Sequence, residues 1–219
     1  MNATPDSFSG DGGLTSDDLV ARGLSMVKNG ADILDIGGES SAPFSSPVTP
    51  DIECRRVLPV IKALRERTNV RISIDTYHPE TARQAIEAGA TILNDITGFR
   101  NEEMRALAAE SGLEVIVMHM QGTPSTMQRK PKYRDVVEEV RDFLHKQADL
   151  LIKSGVSIEK ITLDPGIGFG KLLDHNLELI RNLEALRFQS CPLLLGASRK
   201  SMIGQILDTT VENRLEESL

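Results

Sequence analysis

Six short apolar runs along this sequence end in a side chain that could bind a ligand or exchange a proton. The six residues are Asp35, Asp75, Asn94, His119, Asp164 and Ser198. A buried carboxylate can accept two neighbouring N–H donors in bidentate fashion. Asp-Thr and Asp-Pro pairs such as those at Asp75 and Asp164 also open turns. The residue types alone therefore support ligand binding and turn capping equally.

The apolar runs themselves predict the elements that position these side chains. They are short and rich in Leu, Ile and Val, which is typical of strands buried in a parallel sheet. We predict six strands, within residues 31–40, 70–76, 90–98, 113–120, 159–166 and 191–198.

Amphipathic segments between the strands predict helices. These occupy residues 15–30, 51–67, 78–89 and 133–155. Gly30 and Gly89 stand where two of the helices end, and Pro79 suits a first helical turn. Pro59 lies inside another of the helices, so we expect a kink or a break there.

Alternation of strands and helices predicts parallel βαβ units in a single domain over residues 1–219. An open doubly wound sheet gathers its ligand groups at one crevice, where the strand order reverses. A (β/α)₈ barrel instead places its functional groups at the carboxyl ends of many strands. Polar residues at six successive strand ends favour the barrel. Because only six strands are found, we expect one strand to precede Asn2 and one to follow Leu219.

Composition narrows the class of partner. The net charge is −7 and no block of basic residues occurs, which argues against nucleic acid and anionic membranes. No apolar run approaches the roughly 20 residues of a membrane span. The two cysteines, Cys54 and Cys191, are far apart and have no neighbouring metal-type ligands. We therefore expect a reduced, cytoplasmic protein.

Seven motifs occur in an order and at spacings that closely resemble dihydropteroate synthase, and the resemblance extends over essentially the whole chain. The motifs are NATPDSFS (2–9), DIGGES (35–40), SIDT (73–76), NDI (94–96), MHMQGTPSTMQ (118–128), LDPGIGFGK (163–171) and GASRKSMIG (196–204). The resemblance implies an enzyme that joins 6-hydroxymethyl-7,8-dihydropterin diphosphate to p-aminobenzoate and releases pyrophosphate.

The resemblance also implies which residues bind the pterin. Asp75, Asn94 and Asp164 would hold the polar edge of the ring, where a 2-amino group adjoins a ring N–H. Lys200 would donate to the pterin carbonyl, and Lys200 and Asp75 are the expected catalytic residues. Three further residues are expected around the ring: Met118 beneath it, Phe169 as an apolar wall, and Lys171 either closing the pocket or on the surface. His119 is expected to be structural.

The other substrate groups are expected nearby. Ser41, Ser198, Arg199 and Thr4 are the candidates for p-aminobenzoate and the diphosphate. Asn2 is the candidate ligand for Mg²⁺, because a hard amide oxygen suits an ion that also bridges substrate phosphates. The resemblance further implies a homodimer.

Two departures from the family keep alternatives open. Ala42 stands where the family carries an arginine near its anionic substrates, and nothing adjacent replaces that guanidinium. The family also continues past VENRLEESL to a final strand with a second anion site. A non-catalytic pterin-binding protein and a related pterin-dependent methyltransferase therefore remain as alternatives.

Overall fold

Five parallel strands form one sheet in which spatial order follows chain order. This computed structural model describes residues 1–3, 15–42, 45–198 and 200–210. The strands are β1 (Ile33–Gly37), β2 (Arg71–Asp75), β3 (Ile92–Asp95), β4 (Glu114–Met118) and β5 (Ile161–Asp164). Within this sheet the strands pair in sequence order, as expected for consecutive βαβ units.

The two faces of the sheet differ in polarity because successive side chains on a strand point in opposite directions. One face packs into the main hydrophobic core, where every contributing strand side chain is buried. These side chains are Leu34, Ile36, Ile72, Ile74, Leu93, Val115, Val117, Ile161 and Leu163. The alternate positions carry Asp35, Asp75, Asn94 and Asp164 toward the barrel interior.

Helices cover the apolar face. They are α1 (Ser16–Lys28), α2 (Pro50–Arg65), α3 (Pro79–Ala88), α4 (Glu102–Ser111), α5 (Val136–Ser154), α6 (Leu173–Arg181) and α7 (Ser201–Leu207). Their ends follow ordinary capping chemistry: Thr15 and Asp18 form a capping box at the start of α1, and Gly89 closes α3 in the left-handed region at φ 111°.

Of the kink or break expected at Pro59, the break is wrong, because α2 continues through this residue. Pro59 removes one N–H from the helix and leaves the Arg55 carbonyl without its usual donor. Val57, Val60 and Ile61 are fully buried on either side of it. Packing of this apolar face keeps the helix continuous.

The sixth expected strand is also wrong as a regular strand. Residues 191–198 contribute one isolated parallel bridge, between Leu193 and Leu163. The backbone of Leu163 bonds the Pro192 carbonyl at 2.9 Å and the Leu194 N–H at 2.8 Å. Because Pro192 has no N–H, it can accept a ladder bond but cannot donate one.

At the opposite edge, residues 1–3 pair in parallel with the end of β1. Asn2 forms a bridge with Gly37, and the Ala3 N–H donates to the Gly37 carbonyl at 2.7 Å. The sheet therefore has a neighbour beyond each of its outermost strands. This is the arrangement of a (β/α)₈ barrel that is not closed by the residues described, and the predicted fold class is confirmed.

Within the described part of the chain, no helix combines the length and apolar character needed to cross a membrane.

Candidate active site

Four polar residues, each from a different strand, lie in the barrel interior: Asp35, Asp75, Asn94 and Asp164. Strand register sets Asp75 opposite Asn94, and Met118 opposite Asp164. The Asn94 side-chain N–H₂ lies 3.3 and 3.4 Å from the two carboxylate oxygens of Asp35. The next residue, Asp95, points to the other face and binds backbone N–H groups of its own turn. Because successive residues of β3 face opposite sides of the sheet, Asn94 faces the interior, where a ligand could bind, and Asp95 does not.

Burial makes the interior carboxylates hard to ionise. Desolvation raises the pKa of Asp75 well above its ordinary value, and the nearby Asp35 carboxylate raises it further. Desolvation raises the pKa of Asp164 to about 6, while the Gly166 N–H and Lys200 oppose the shift. A ligand that brings N–H donors would favour the ionised carboxylates. The interior is therefore complementary to a polar ring edge rich in donors.

Lys200 stands between these carboxylates and the outside. It occupies the position before α7, and its ammonium lies 4.3 Å from the centre of the Phe169 ring. Burial lowers the pKa of Lys200, whereas Asp164 and Asp75 favour its charged form. The ammonium therefore interacts with both an aromatic face and the interior carboxylates.

Lys171 is buried, with 3% of its surface exposed, so the surface alternative is wrong. Its ammonium donates to the carbonyls of Gly166 (2.9 Å) and Phe169 (3.0 Å) and to Nδ1 of His119 (3.0 Å). Burial lowers the pKa of Lys171 to about 7. Burial also lowers the pKa of His119, to about 2, and Lys171 adds to the shift, so the imidazole is neutral.

The segment Gly166–Lys171, which we call the β5 loop, is held by side chains from several elements. The Asp164 carboxylate accepts the Gly166 N–H at 2.7 Å, and Asn176 accepts the Gly168 N–H at 2.8 Å. The Gln128 amide and the Tyr133 hydroxyl donate to carbonyls of this loop. A Cβ on Gly166 would lie 2.0 Å from the His119 carbonyl oxygen, so only glycine fits there.

A methionine-rich cluster lies beside the polar interior. Its buried members are Ile96, Met118, Met120 and Met127, with Tyr77 and Phe169 packed against them. Thioethers and rings offer an adaptable apolar surface to a flat ligand. Met118 and Phe169 are thus both available to a ring whose edge meets the carboxylates.

A cleft of about 490 Å³ opens next to this interior. Asn2, Ser41, Phe169, Lys171 and Lys200 of the predicted residues line it. Ala42 also lines it and is exposed, so the departure from the family falls directly on the cleft wall. A narrow adjoining crevice is lined by Ser40, Ser41 and Asp75 among others, which links the cleft to the carboxylates.

Not every predicted residue reaches this site. Ser198 is exposed in the turn before α7 and is not among the described residues of the cleft wall. Thr4 and Arg199 lie outside the described residues.

Sequence reasoning placed Asp35 at a strand end but did not include it in the site. Asp35 and Gly37 lie on the same face of β1, which pairs with β2. This pattern could have indicated that Asp35 lies near Asp75 in the site. Gln128 and Asn176, which line the cleft and bind the β5 loop, carried no signal of their own.

Comparison with known proteins agrees with this geometry. The family model described as pterin binding enzyme matches residues 1–219. A dihydropteroate synthase of Escherichia coli K12 is 45% identical over 221 residues, covering 100% of this chain and 78% of that protein. The chain belongs to the dihydropteroate synthase family. The prediction of a transferase is thereby confirmed at the level of the family.

Solved members of the dihydropteroate synthase family share the fold. The Xanthomonas albilineans enzyme with 4-aminobenzoic acid superimposes with a TM-score of 0.92 at 39% identity, covering 99% of this chain and 78% of that one. The same enzyme in complex with 7,8-dihydropteroate gives a TM-score of 0.88 at 37% identity, with coverages of 99% and 78%.

Proposed function

We propose that this protein condenses 6-hydroxymethyl-7,8-dihydropterin diphosphate with p-aminobenzoate and releases pyrophosphate. One observation carries the proposal: interior carboxylates with raised pKa values and Asn94 lie behind Lys200 at the carboxyl ends of parallel strands. Active sites of (β/α)₈ barrels lie at this end. Solved family members that bind 4-aminobenzoic acid and 7,8-dihydropteroate support the same substrates here.

In this proposal the pterin occupies the interior with its donor-rich edge toward Asp75, Asn94 and Asp164. The 2-amino group and the adjacent ring N–H match the two oxygens of a carboxylate. Met118 and Phe169 enclose the ring faces, and Lys200 donates to the ring carbonyl. Lys171 shapes the pocket through the carbonyls that it binds.

The reaction forms a C–N bond between the amine of p-aminobenzoate and the exocyclic methylene of the pterin. The C–O bond to the diphosphate breaks and its electron pair leaves with the diphosphate, while one amine proton passes to solvent. Cationic character develops at the methylene when bond cleavage runs ahead of attack. The carboxylate of Asp75 stabilises that charge, and the enclosed site holds the reactants in position.

We propose that the Asn2 side-chain oxygen is one ligand of a magnesium ion that enters with the diphosphate. Among the described residues, no group of three or more His, Cys, Asp or Glu could hold a metal ion by itself. Asn2 is exposed on the cleft wall and offers one neutral oxygen. Mg²⁺ usually takes few protein ligands and is completed by phosphates and waters. When bound, the ion neutralises charge on the departing diphosphate.

For p-aminobenzoate and the diphosphate we propose the cleft wall around Ser41 and Lys200. Ser198, Arg199 and Thr4 remain candidates for the same anionic groups. We also propose a cytoplasmic location, supported by the buried unpaired thiols of Cys54 and Cys191. A homodimer is proposed from the family resemblance, and light scattering of the purified protein would test it.

The proposal is tested by pyrophosphate release from the pterin diphosphate with Mg²⁺, with and without p-aminobenzoate. Asp75→Ala serves as the inactive control. Release that requires the amine and is lost in the control supports the synthase. Pterin binding by calorimetry without any release would instead support a non-catalytic pterin-binding protein, the alternative raised by Ala42.

A further inference from the structure

The backbone that brings Ser41 to the cleft is held by a charged side chain buried just before it. Glu39 follows the end of β1, and its side chain is 8% exposed. One carboxylate oxygen accepts the hydroxyl of Tyr77 at 2.6 Å. The other accepts the Val48 N–H at 3.2 Å and lies 3.4 Å from Nε2 of His78. The Glu39 carboxylate therefore connects Val48 to Tyr77 and His78, which lie in the turn between β2 and α3.

Tyr77 connects this contact to the apolar part of the site. Its ring packs against the methionine-rich cluster and lies 4.3 Å from the ring of His78. Tyr77 and Glu39 also line the narrow crevice that contains Asp75 and Ser41. A change in the position of Glu39 would thus alter the shape of the cleft wall and of the crevice beside the pterin pocket.

We propose that Glu39, Tyr77 and His78 are positioning residues for p-aminobenzoate, holding Ser40–Ala42 in place on the cleft wall. We call the three residues the Glu39 clamp. The inference rests on the proposed function and extends it, since none of the three reaches the reacting atoms. With Ala42 in place of an arginine, a fixed backbone at this wall matters more for the second substrate.

The charge on His78 makes the clamp sensitive to pH. The contact with Glu39 raises the pKa of His78, burial opposes the shift, and Glu53 and Asp95 add to it from α2 and β3. Although burial acts in the other direction, the contacts with His78 and Tyr77 lower the pKa of Glu39. The ion pair is therefore complete below the raised pKa of His78 and is lost as pH rises through it.

Steady-state kinetics of the full-length protein test the clamp. Tyr77→Phe keeps the ring and removes only the hydroxyl, so we expect KM for p-aminobenzoate to rise about 3- to 10-fold with kcat nearly unchanged. In the parent enzyme this KM should increase as pH rises past the pKa of His78, and His78→Gln should abolish the dependence. The matched histidine control is His145→Gln. His145 lies on α5, and its Nε2 is 3.3 Å from the Leu186 carbonyl oxygen.

An NMR titration of the imidazoles separates this inference from the proposed function. In the parent protein His78 should titrate above the ordinary histidine value of about 6.5, and Glu39→Gln should bring its pKa down. Equal values in the two proteins would overturn the clamp whatever the activity. An active parent with unchanged kinetics in Tyr77→Phe and His78→Gln would also overturn it. An inactive parent would count against the proposed function alone.

Discussion

The segments that follow β5 and β1 line the same cleft but are held in different ways. In the β5 loop, polar backbone groups bind buried or partly buried side chains from several elements, including Asn176, Gln128 and Lys171. After β1, Ser45 and Ala42 make mostly local bonds to Ser40. Among the described residues, the Glu39 carboxylate also accepts the Val48 N–H, and Arg56 donates to the Gly38 carbonyl at the start of the segment. The pterin wall is therefore fixed by contacts from several elements, whereas the described part of the wall proposed for p-aminobenzoate is held by fewer contacts, mainly those of the Glu39 clamp.

The largest expected effect is at the fixed wall. Asp164→Ala removes a pterin acceptor and the bond to the Gly166 N–H together. We expect kcat/KM for the pterin diphosphate to fall by at least about 100-fold. Asp149→Ala, at an exposed position on α5, should leave the kinetics unchanged. Near-normal activity in Asp164→Ala would remove this residue from the proposed site.

Lys171→Met tests how strongly the β5 loop depends on a buried charge. The change removes the Lys171 donor of the Phe169 carbonyl and one of two donors of the Gly166 carbonyl, which still accepts the Phe169 N–H at 3.0 Å. The free energy of unfolding should therefore fall by about 1–3 kcal/mol. Denaturant melts measure this loss, with Lys62→Met on the exposed side of α2 as control. Equal stability of the two variants would show that the loop is held without Lys171.

The pH dependence of pterin use should report Asp164. Its pKa is raised to about 6, and the protonated carboxyl cannot accept two donors. The value of kcat/KM for the pterin diphosphate should therefore fall as pH drops through about 6. The raised pKa also means that the folded state holds an extra proton between the ordinary value and about 6. Because the unfolded state loses this proton at a lower pH, the free energy of unfolding falls as pH rises through that window. A flat kinetic profile from about pH 5 to 8 would contradict the assignment.

The smallest effect is expected at the wall proposed for p-aminobenzoate. Ala42→Arg adds a guanidinium to an exposed position on the cleft, where the described lining residues include only two cations, Lys171 and Lys200. We expect KM for the pterin diphosphate to fall about 3- to 10-fold. Ala185→Arg, exposed near the end of the 3₁₀ helix Leu183–Leu186, carries the same charge change away from the cleft. An equal gain in both variants would indicate a general charge effect.

The sequence predicted the parts of the fold that local chemistry controls. Apolar runs and their polar ends located β1 to β5, since strand alternation and burial are local properties. The break considered at Pro59 and the regular strand predicted within residues 191–198 are wrong for a common reason, since both depend on packing in space. The packing of α2 overrides a missing helical bond at Pro59. A single isolated bridge at Leu193 depends on which neighbours pair with it in space.

Within the site, the sequence predicted residue types better than surroundings. Polar strand ends alone left ligand binding and turn capping equally supported, and it was the family resemblance that assigned Asp75, Asn94 and Asp164 to the pterin. Burial of Lys171 could not be predicted, because its partners are backbone carbonyls that no residue type reveals. The Glu39 clamp was missed for a similar reason, since Glu39 and Tyr77 are 38 residues apart in the chain.

The contacts of Lys171 also make the pterin wall depend on several distant parts of the chain. Its ammonium bridges His119, just after β4, and the turn that follows β5, so the bridge exists only where the ends of these two strands lie together. Asn176 adds a contact from α6. The pterin wall is therefore present only in chains in which β4, β5 and α6 have all packed together. Pterin binding would accordingly report the completed assembly of this half of the barrel.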